Sequence, residues 1–225
     1  MSLRSVLATV AVSSIILAAA TAAQAATELA NGSFEAPTTG ASPGSSGSYA
    51  YPGTLIDSWT YMGDAGLIDA VTGTPWFADT PPQGYDGAQY AFVQATGSVS
   101  QTFNSGAGLF KVSWLEASRP VVDGGCCKGD QTYNVVLDDV VLGSFATLSG
   151  QQFLSRSLVG PVIAHGSHTL AFVGTDLLTG DNTSFIDKVS AGVPEPASWA
   201  LMILGFGGAG AALRRRRGQA VSAAA

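Results

Sequence analysis

The residues that most often catalyse reactions are few in this chain and unfavourably spaced. His165 and His168 are the only histidines and fall in one expected hairpin, so three histidines cannot meet at a zinc ion, and a two-histidine, one-carboxylate site is not expected either. The segment Gly40-Ala41-Ser42-Pro43-Gly44 has the form of a nucleophile elbow. However, it lies in a low-complexity loop, and the proline removes an N–H that an oxyanion would need. The sequence therefore predicts neither a zinc-dependent nor a serine-dependent enzyme.

Carboxyl groups are the remaining candidates for catalysis. Glu116 and fourteen other acidic residues lie between residues 26 and 193, and two carboxyl groups about 5 to 10 Å apart can hydrolyse a glycosidic bond. No spacing singles out such a pair. We therefore expect no enzymatic activity, with a glycan hydrolase that uses an unrecognised pair as an alternative. Arg119 lies at the end of the expected strand that contains Trp114-Leu115-Glu116. It is expected to form a surface ion pair rather than to contact a ligand.

Aromatic side chains are concentrated between residues 59 and 90, among several aspartates. A sugar is bound by flat rings that pack against the pyranose face, together with a few amide or carboxylate partners. Trp76, Phe77 and Tyr85 flank the Pro81-Pro82 loop and are the expected ligand-binding residues. The alternative is that these rings fill the core, with their polar atoms satisfied at its rim.

The two cysteines, Cys126 and Cys127, are adjacent in a glycine-flanked loop. Adjacent α-carbons lie about 3.8 Å apart, which is shorter than the usual span of a disulfide, so a bridge between them would be strained and reducible. A disulfide between them cannot link distant segments of the chain. In an oxidising compartment we expect a vicinal disulfide, with an intermolecular bond or free thiols as alternatives.

The composition limits the class of protein that carries these residues. The chain has 225 residues with 28 glycines, and only 12% of its residues are charged, which excludes a coiled coil, collagen and a charge-rich disordered chain. Five basic and fifteen acidic side chains lie between residues 26 and 193, a formal charge of −10. Such a surface repels phosphate backbones, so nucleic-acid binding is excluded.

A run of short segments predicts an all-β domain. Phe110, Val112 and Trp114 alternate with Lys111 and Ser113, which is the period of a strand with one buried face. Similar segments recur at intervals of 8 to 15 residues, as in a sandwich or jelly roll. The eight expected strands are 89–94, 98–103, 109–115, 132–137, 140–145, 153–158, 169–173 and 184–189.

Turn residues separate these strands. Asp138-Asp139 is expected to form a two-residue hairpin turn and His165-Gly166-Ser167 a longer one, because Asp and Gly tolerate positive φ. Residues 36–53 are rich in glycine, proline and serine. They are expected to be a surface or disordered loop, because they contain little apolar matter to pack.

The N-terminal segment, residues 1–25, reads as a cleavable signal peptide. It has one basic residue, an apolar run of about 15 residues and the small-residue pattern Ala23-Gln24-Ala25. The run is shorter than the roughly 20 residues of a membrane-spanning helix. We therefore expect signal peptidase to cleave after residue 25 and residues 26–193 to be exported as the ectodomain.

The C-terminal segment combines a short motif, an apolar stretch and a basic cluster. Pro194-Glu195-Pro196 precedes residues 197–213, which carry no charge, and Arg214-Arg215-Arg216-Arg217 follows at once. Seventeen helical residues span about 25 Å, enough to cross a locally thinned bilayer. The arginines are expected to stay in the cytoplasm with the tail 218–225 under the positive-inside rule.

This tail resembles the PEP-CTERM sorting signal in its Trp-Ala variant, since Trp199-Ala200 begins the apolar stretch. In that family an integral-membrane exosortase recognises the tail. The resemblance implies that Pro194, Glu195 and Pro196 are recognition residues. It also implies an association with exopolysaccharide and biofilm, and a transient membrane anchor before release to the cell surface or the exterior.

The ectodomain resembles galactose-binding-like jelly rolls, the fold of many carbohydrate-binding modules. The resemblance rests on Asn31-Gly32-Ser33-Phe34-Glu35, Phe185-Ile186-Asp187-Lys188-Val189 and two segments between them, Val99 to Phe103 and Tyr133 to Leu137. In several such modules a structural Ca²⁺ is held where the first and last strands meet. The resemblance maps its carboxylate ligands to Glu35 and Asp187, whose hard oxygen atoms suit Ca²⁺.

The sequence therefore predicts an exported, exosortase-sorted β-sandwich at the cell surface or in the extracellular matrix. We expect it to bind polysaccharide without cutting it. A structural matrix protein with no specific ligand is the alternative, besides the hydrolase named above.

Overall fold

The structure is a computed structural model of the chain. It describes residues 29–41, 48–71, 76–77, 80–120, 130–177, 181–193, 205–208 and 210. The predictions for the signal peptide, Cys126, Cys127, Pro194, Glu195, Pro196 and the four arginines 214–217 lie outside the described residues. Residues 205–208 are helical and belong to a second unit, separate from Ala26–Pro194. Among the described residues, no helix is both long and apolar enough for a membrane span.

Twelve strands are described between residues 49 and 192, after a short 3₁₀ helix at Thr39–Ala41. In chain order they are β1 (Tyr49–Ala50), β2 (Leu55–Ile56), β3 (Trp59–Met62), β4 (Ala65–Asp69), β5 (Gln89–Gln94), β6 (Ser98–Ser105), β7 (Gly108–Ser118), β8 (Gln131–Leu137), β9 (Val140–Thr147), β10 (Leu154–Ile163), β11 (Gly166–Gly174) and β12 (Thr183–Gly192).

The strands form two six-stranded antiparallel sheets. The first sheet has the order β1-β4-β5-β12-β7-β10 and the second the order β2-β3-β6-β11-β8-β9. The last eight strands pass between the sheets in two Greek keys, so that β5-β12-β7-β10 faces β6-β11-β8-β9. This is the strand order of a jelly roll, which confirms the predicted fold.

Each of the eight predicted strands corresponds to one strand of this jelly roll, β5 to β12. The patterning did not predict β1 to β4. Two of them are only two residues long, and β4 is buried in four consecutive residues, so it shows no alternation that a period-2 pattern can detect.

The main core lies between the sheets and is built from alternate residues of each strand. In β7, Phe110, Val112 and Trp114 are buried, on the face that the sequence predicted. Full burial of one such side chain stabilises the fold by about 1.5 to 3 kcal/mol. Both sheets and this core are made from residues 29–193, so the ectodomain has what it needs to fold on its own.

The segment 36–53 differs from the predicted surface loop at both described ends. Thr39 is buried and its N–H donates to Gln89 Oε1 at 3.0 Å, and Ala50 is buried in β1, where it pairs with Leu67. A hydrogen bond to a distant side chain holds Thr39 and strand pairing holds Ala50, and composition indicates neither.

The predicted hairpin turn is confirmed between β8 and β9. Asp138 and Asp139 have φ of 48° and 65°, and Leu137 pairs with Val140 across the turn, as in a type I′ turn. The second turn is shorter than predicted, because β11 already begins at Gly166.

Candidate functional site

The outer face of the first sheet carries a layer of aromatic side chains. Tyr90, Phe92 and Phe185 point away from the main core on β5 and β12 and form a second buried cluster. Trp76 and Phe77 complete this cluster and are only 4% and 0% exposed. Because neither ring presents a face to solvent, the structure places these two predicted ligand-binding residues in a core rather than on a sugar-binding surface.

Three tyrosines border this aromatic layer and remain half-buried. Tyr85 packs on Tyr90 with ring centroids 5.8 Å apart, so the third predicted ligand-binding residue does lie at the surface. Tyr49 packs on Trp76 at 5.5 Å and Tyr51 on Phe92 at 4.9 Å. We refer to Tyr49 and Tyr51 with their polar neighbours, described next, as the tyrosine rim.

A chain of polar contacts connects the tyrosine rim to the loop ends of the first sheet. The hydroxyl of Tyr51 donates to Gln94 Oε1 at 2.6 Å. The amide of Gln94 donates in turn to Thr183 Oγ1 at 2.9 Å and to the carboxylate of Asp181. The side chain of Asp181 is 45% exposed, so the chain ends at a carboxylate that a ligand can reach.

Arg119 is the buried cation of this region. It forms an ion pair with Asp181 and its guanidinium lies 4.4 Å from the centroid of the Trp76 ring. Its residue exposure is 3%, so the predicted surface ion pair is in fact largely buried on the arginine side. A planar, weakly hydrated guanidinium tolerates such a position because it stacks on the ring as well as pairing.

The electrostatic field at the tyrosine rim is negative. Burial raises the pKa of Tyr51, and the charges of Asp181 and Asp64 raise it further, against a smaller effect of Arg119. The Tyr51 hydroxyl therefore stays protonated and acts as a donor.

The predicted calcium ligands lie where the opening segment crosses β12. The carbonyl of Gly32 accepts from the N–H of Val189 at 2.8 Å, and a Cβ at Gly32 would lie 2.1 Å from the Val189 oxygen. Only glycine fits this approach. Glu35, three residues later, accepts from the N–H groups of Ala88 and Gln89 at 2.9 and 3.1 Å.

Asp187 is the buried member of this acidic group. It accepts from the N–H groups of Asp86 and Lys188, each at 2.6 Å. Burial raises its pKa to about 7, and the charges of Asp86 and Glu35 add to this effect against the two backbone donors. Glu35 and Asp187 are thus close enough to interact, as the resemblance implied.

Glu35 and Asp187 supply some, but not all, of the oxygen ligands that a hard cation needs. Glu35 and Asp187 supply carboxylate oxygens, and mutual repulsion of their charges favours a cation beside them. Among the described residues, no group of three or more His, Cys, Asp or Glu side chains is arranged to hold a metal ion. A cation here would therefore need carbonyl oxygens or water as further ligands.

Glu116, considered above as a catalytic acid, is fully buried between the sheets. It accepts from Arg156 Nε at 2.7 Å, from Gln151 Nε2 at 3.3 Å and from the hydroxyl of Tyr133. Tyr133 also accepts from Trp114 Nε1 at 2.8 Å. The carboxylate thus belongs to an internal network and is shielded from solvent. The members of this network lie on three different strands and one loop, so no spacing in the sequence indicates it.

Together these observations define a jelly-roll β-sandwich with a tyrosine-lined rim on its first sheet. Residues 192–217 match the family model described as the PEP-CTERM protein-sorting motif. The predicted sorting signal is confirmed, and this motif marks a chain for export and for anchoring of its C-terminal segment during sorting. A comparison with curated proteins finds none that matches.

Solved structures with a similar fold include carbohydrate-binding modules and an enzyme. One is a family 35 carbohydrate binding module from Clostridium thermocellum, with 13% identity over 59% of this chain and 90% of that chain and a TM-score of 0.40. The module CBM36 in complex with calcium and xylotriose has 19% identity over 55% of this chain and 96% of that chain, with a TM-score of 0.34. The Stig cyclase Fisc from Fischerella sp. TAU has 12% identity over 73% of this chain and 96% of that chain, with a TM-score of 0.46.

Proposed function

We propose that this protein is an exported surface or matrix protein that binds a neutral polysaccharide at its tyrosine rim without cutting it. In this proposal signal peptidase releases residues 26 onward. Exosortase then recognises Pro194-Glu195-Pro196 and passes the ectodomain to the cell surface or the exterior, where exopolysaccharide of the biofilm is its ligand. The sorting motif supports the route, and the tyrosine rim supports the binding.

The observation that carries the binding is the pairing of half-buried rings with an accessible carboxylate. Tyr49 and Tyr51 keep part of their rings at the surface, and a pyranose face packs on such a ring. Asp181 is reachable from solvent and is connected through Gln94 to Tyr51. Sugar hydroxyls both donate and accept, so they can join this chain of hydrogen bonds at either end.

The charge of the rim selects the class of polysaccharide. Asp181 and Asp64 both act on the Tyr51 hydroxyl, and the nearby cation, Arg119, is already paired with Asp181. A uronate or sulfate group would enter a negative field, whereas a neutral hexose would not. The proposed ligand is therefore a neutral glycan.

The binding is proposed to be non-catalytic. Glu116 is enclosed by its hydrogen-bond partners. At the tyrosine rim, the accessible carboxylate of Asp181 is engaged by Arg119 and Gln94, which leaves it in the role of a fixed acceptor.

Retention on immobilised polysaccharide tests the proposal. Residues 26–193 should be retained on a neutral β-glucan and not on a polyuronate. Replacing the ring with Tyr51→Ala should lower the affinity by about tenfold or more, since an aromatic contact with its desolvated neighbours contributes on the order of 1 to 3 kcal/mol. Tyr51→Phe keeps the ring and should lose less.

Leu55→Ala serves as the control for this experiment, since Leu55 is 63% exposed and lies on β2 in the second sheet, whereas the tyrosine rim packs on the first sheet. No retention on any glycan would replace the proposal by a structural matrix role. Release of reducing sugar with time would replace it by a hydrolase. An equal loss of glycan retention in Tyr51→Ala and Leu55→Ala would show that the glycan does not bind at the tyrosine rim.

We also propose that Glu35 and Asp187 hold a structural Ca²⁺ that ties the opening segment to β12. Burial and repulsion around Asp187 support a cation there. Ca²⁺ should raise the melting temperature of the wild-type ectodomain and leave that of Asp187→Asn unchanged, because a ligand of the folded state alone stabilises it. A wild-type melting temperature that is the same in Ca²⁺ and in chelator would refute the site.

A further inference from the structure

The sorting motif overlaps the folded ectodomain. The family match begins at residue 192, whereas β12 extends to Gly192 and the next residue, Val193, is still part of the main core. The first two residues of the motif therefore lie in the fold, and Pro194-Glu195-Pro196 follows directly in the sequence. No spacer separates the last buried residue of the jelly roll from the residues that exosortase is proposed to recognise.

The last residues of β12 are paired on one side. Among the described pairings, β5 pairs with β12 as far as Ile186, whereas β7 pairs with it as far as Gly192. The pairing with β7 has a register shift between Asp187 and Ser190. The residues after this shift therefore have β7 as their single partner strand in the described part of the chain. We call residues 190–193 the β12 end.

The residues that precede the β12 end have anchors of their own. Asp187 accepts from the N–H of Asp86 at 2.6 Å, and Val189 donates its N–H to the carbonyl of Gly32 at 2.8 Å. These hydrogen bonds connect the chain to the opening segment and to the loop before β5. Proteins open locally in small units whose boundaries follow such contacts. Detachment of the β12 end from β7 therefore leaves the surroundings of Asp187 in place.

Two buried side chains hold the β12 end on the core. Ala191 and Val193 are 5% and 6% exposed. A Cβ at Gly108, the first residue of β7, would lie 2.5 Å from Val193 Cγ1, so the valine packs directly on the backbone of β7. Burial of one valine side chain makes a detached state rarer by about tenfold or more. The β12 end is therefore paired most of the time.

The fold and a peptide-binding enzyme need the same groups of the β12 end. An enzyme that binds a peptide as an extended chain uses the backbone N–H and C=O groups that a sheet also uses. In the ectodomain, Ala191 and Gly192 are paired with Val112 and Lys111 of β7. Where opening is fast, an enzyme that acts on the open state works at a rate proportional to the population of that state.

We propose that exosortase recognises Gly192 and Val193 together with Pro194-Glu195-Pro196, and that it does so only after the β12 end has detached from β7. This inference rests on the proposed function, because it concerns the step at which exosortase recognises the chain. The stability of the β12 end then sets the rate of sorting. A loosened β12 end is sorted faster than the wild type.

A pulse–chase experiment in the native host tests this proposal on the full chain. The readout is the half-time for loss of the arginines 214–217, followed by mass spectrometry of the intact protein. In the spacer variant, Gly-Ser-Gly-Ser-Gly-Val is inserted between Val193 and Pro194, so that a second Gly-Val pair precedes the motif outside the fold. Its half-time should be shorter than that of the wild type by about tenfold. The same six residues inserted after Ala220, beyond the arginines, should change nothing.

Two glycine substitutions outside the motif supply a second test. Gly108→Ala places a methyl group against Val193 at a φ of 151°, which L residues rarely adopt. It should loosen the β12 end and shorten the half-time several-fold. Gly84→Ala is the matched control, because its φ of 98° is also unfavourable but its methyl group would meet Phe153 Cβ, at 3.3 Å. Gly84→Ala should lower the melting temperature and leave the half-time unchanged. Equal shortening in both variants would overturn the proposal, because global unfolding would then control sorting.

The outcomes distinguish this inference from the proposed route. If the spacer variant and Gly108→Ala lose their arginines at the wild-type rate, exosortase does not compete with the fold, and the inference is wrong while the route stands. Replacing Pro194, Glu195 and Pro196 by alanine in the spacer variant should abolish the loss. Persistence of the loss in that variant, or retention of the arginines in the wild type and the spacer variant alike, would refute the route and this inference with it.

Discussion

At the scale of single residues, the ring of Trp76 contacts both the buried aromatic cluster and the tyrosine rim. It packs on Phe92 at 4.8 Å and on Tyr49 at 5.5 Å, and it covers the guanidinium of Arg119. Its removal would leave a cavity and expose the Arg119 side of a buried ion pair. The tyrosine rim depends on this ring for its shape, although the ring itself does not face solvent.

We therefore expect Trp76→Ala to destabilise the ectodomain by about 3 to 5 kcal/mol, the usual cost of truncating a buried tryptophan. Urea denaturation monitored by circular dichroism measures this change. Leu55→Ala removes an exposed side chain and should change the free energy of unfolding by less than about 0.5 kcal/mol. A loss below about 1 kcal/mol in Trp76→Ala would show that the ring is not part of the core.

His168 and Asp138 form a residue pair that couples stability to pH. His168 Nδ1 lies 2.6 Å from Asp138 Oδ2 and Nε2 lies 3.0 Å from the Ala164 carbonyl. The hydrogen bond to Asp138 raises the pKa of His168, against an opposing effect of burial. Partial burial raises the pKa of Asp138, but hydrogen bonds from His168 and Thr169 outweigh it and lower that pKa overall.

The sign of the pH dependence follows. His168 makes its full contribution to the free energy of unfolding below the pKa of an unfolded histidine, about 6.5. This contribution is lost as pH rises through the higher pKa of His168 in the folded state. The aspartate contribution is lost as pH falls through its lowered pKa in the folded state. His168→Gln should remove only the part of the alkaline loss that comes from His168, less than about 1 kcal/mol because Asp138 is half-exposed; the raised pKa of Asp187 contributes separately in both proteins. Parallel curves of wild type and His168→Gln from pH 5 to 9 would contradict this.

The position of a candidate site residue can be predicted from the sequence only where the fold itself determines that position. Glu35 and Asp187 come together because the first and last segments of the fold meet, and a resemblance to that fold implied it. Trp76 was expected at the surface because a sequence does not show which rings a further layer covers. Tyr51 was missed because its neighbours Pro52 and Gly53 are typical of a loop.

At the scale of elements, the β8–β9 hairpin uses two residues with positive φ. The side chain of Asp138 stabilises the turn, because it accepts from the N–H of Thr169 at 2.8 Å and contacts His168. Asp139, at φ 65°, is exposed and has no comparable contact among the described residues. A left-handed conformation is costly for any residue except glycine and, to a lesser degree, Asn or Asp.

The two positions should therefore respond in opposite ways. Asp139→Gly relieves the left-handed conformation and creates the favoured Asp-Gly turn, so it should stabilise the ectodomain by about 0.5 to 1 kcal/mol. Asp138→Gly relieves the same strain but loses both contacts, so it should be neutral or destabilising. Urea midpoints measure both. A stabilisation of equal size at both positions would show that the side chain of Asp138 contributes nothing.

The burial pattern and the length of each strand explain whether the sequence predicted it. β5 to β12 have one face on the main core, and in strands such as β8, with buried Tyr133, Val135 and Leu137, this gives a clear alternation. β5 itself is buried on both faces, so burial does not follow the alternation on which its prediction rested, although its aromatic and β-branched residues favour a strand. β1 and β2 are held by pairing over two residues each, which is too short to leave a pattern.

At the scale of the whole molecule, the ectodomain and its sorting motif have separate tasks. The jelly roll lies within residues 29–193, and the PEP-CTERM motif covers residues 192–217. Because the motif overlaps the fold only at its last residues, changes within the motif should alter the destination of the protein and leave the tyrosine rim intact. Binding and sorting are therefore expected to be separable.

Replacing Pro194, Glu195 and Pro196 by alanine should test this separation in the native host. The wild-type product is expected to begin at residue 26 and to lack the arginines 214–217, as measured by mass spectrometry of intact protein from the cell surface or medium. The triple alanine variant should keep its arginines and accumulate in the membrane fraction, because exosortase no longer recognises it. Its purified ectodomain should still be retained on the neutral glycan that retains the wild type. An intact wild-type chain in the cytoplasm that begins at its initiator methionine would contradict both the route and the surface role.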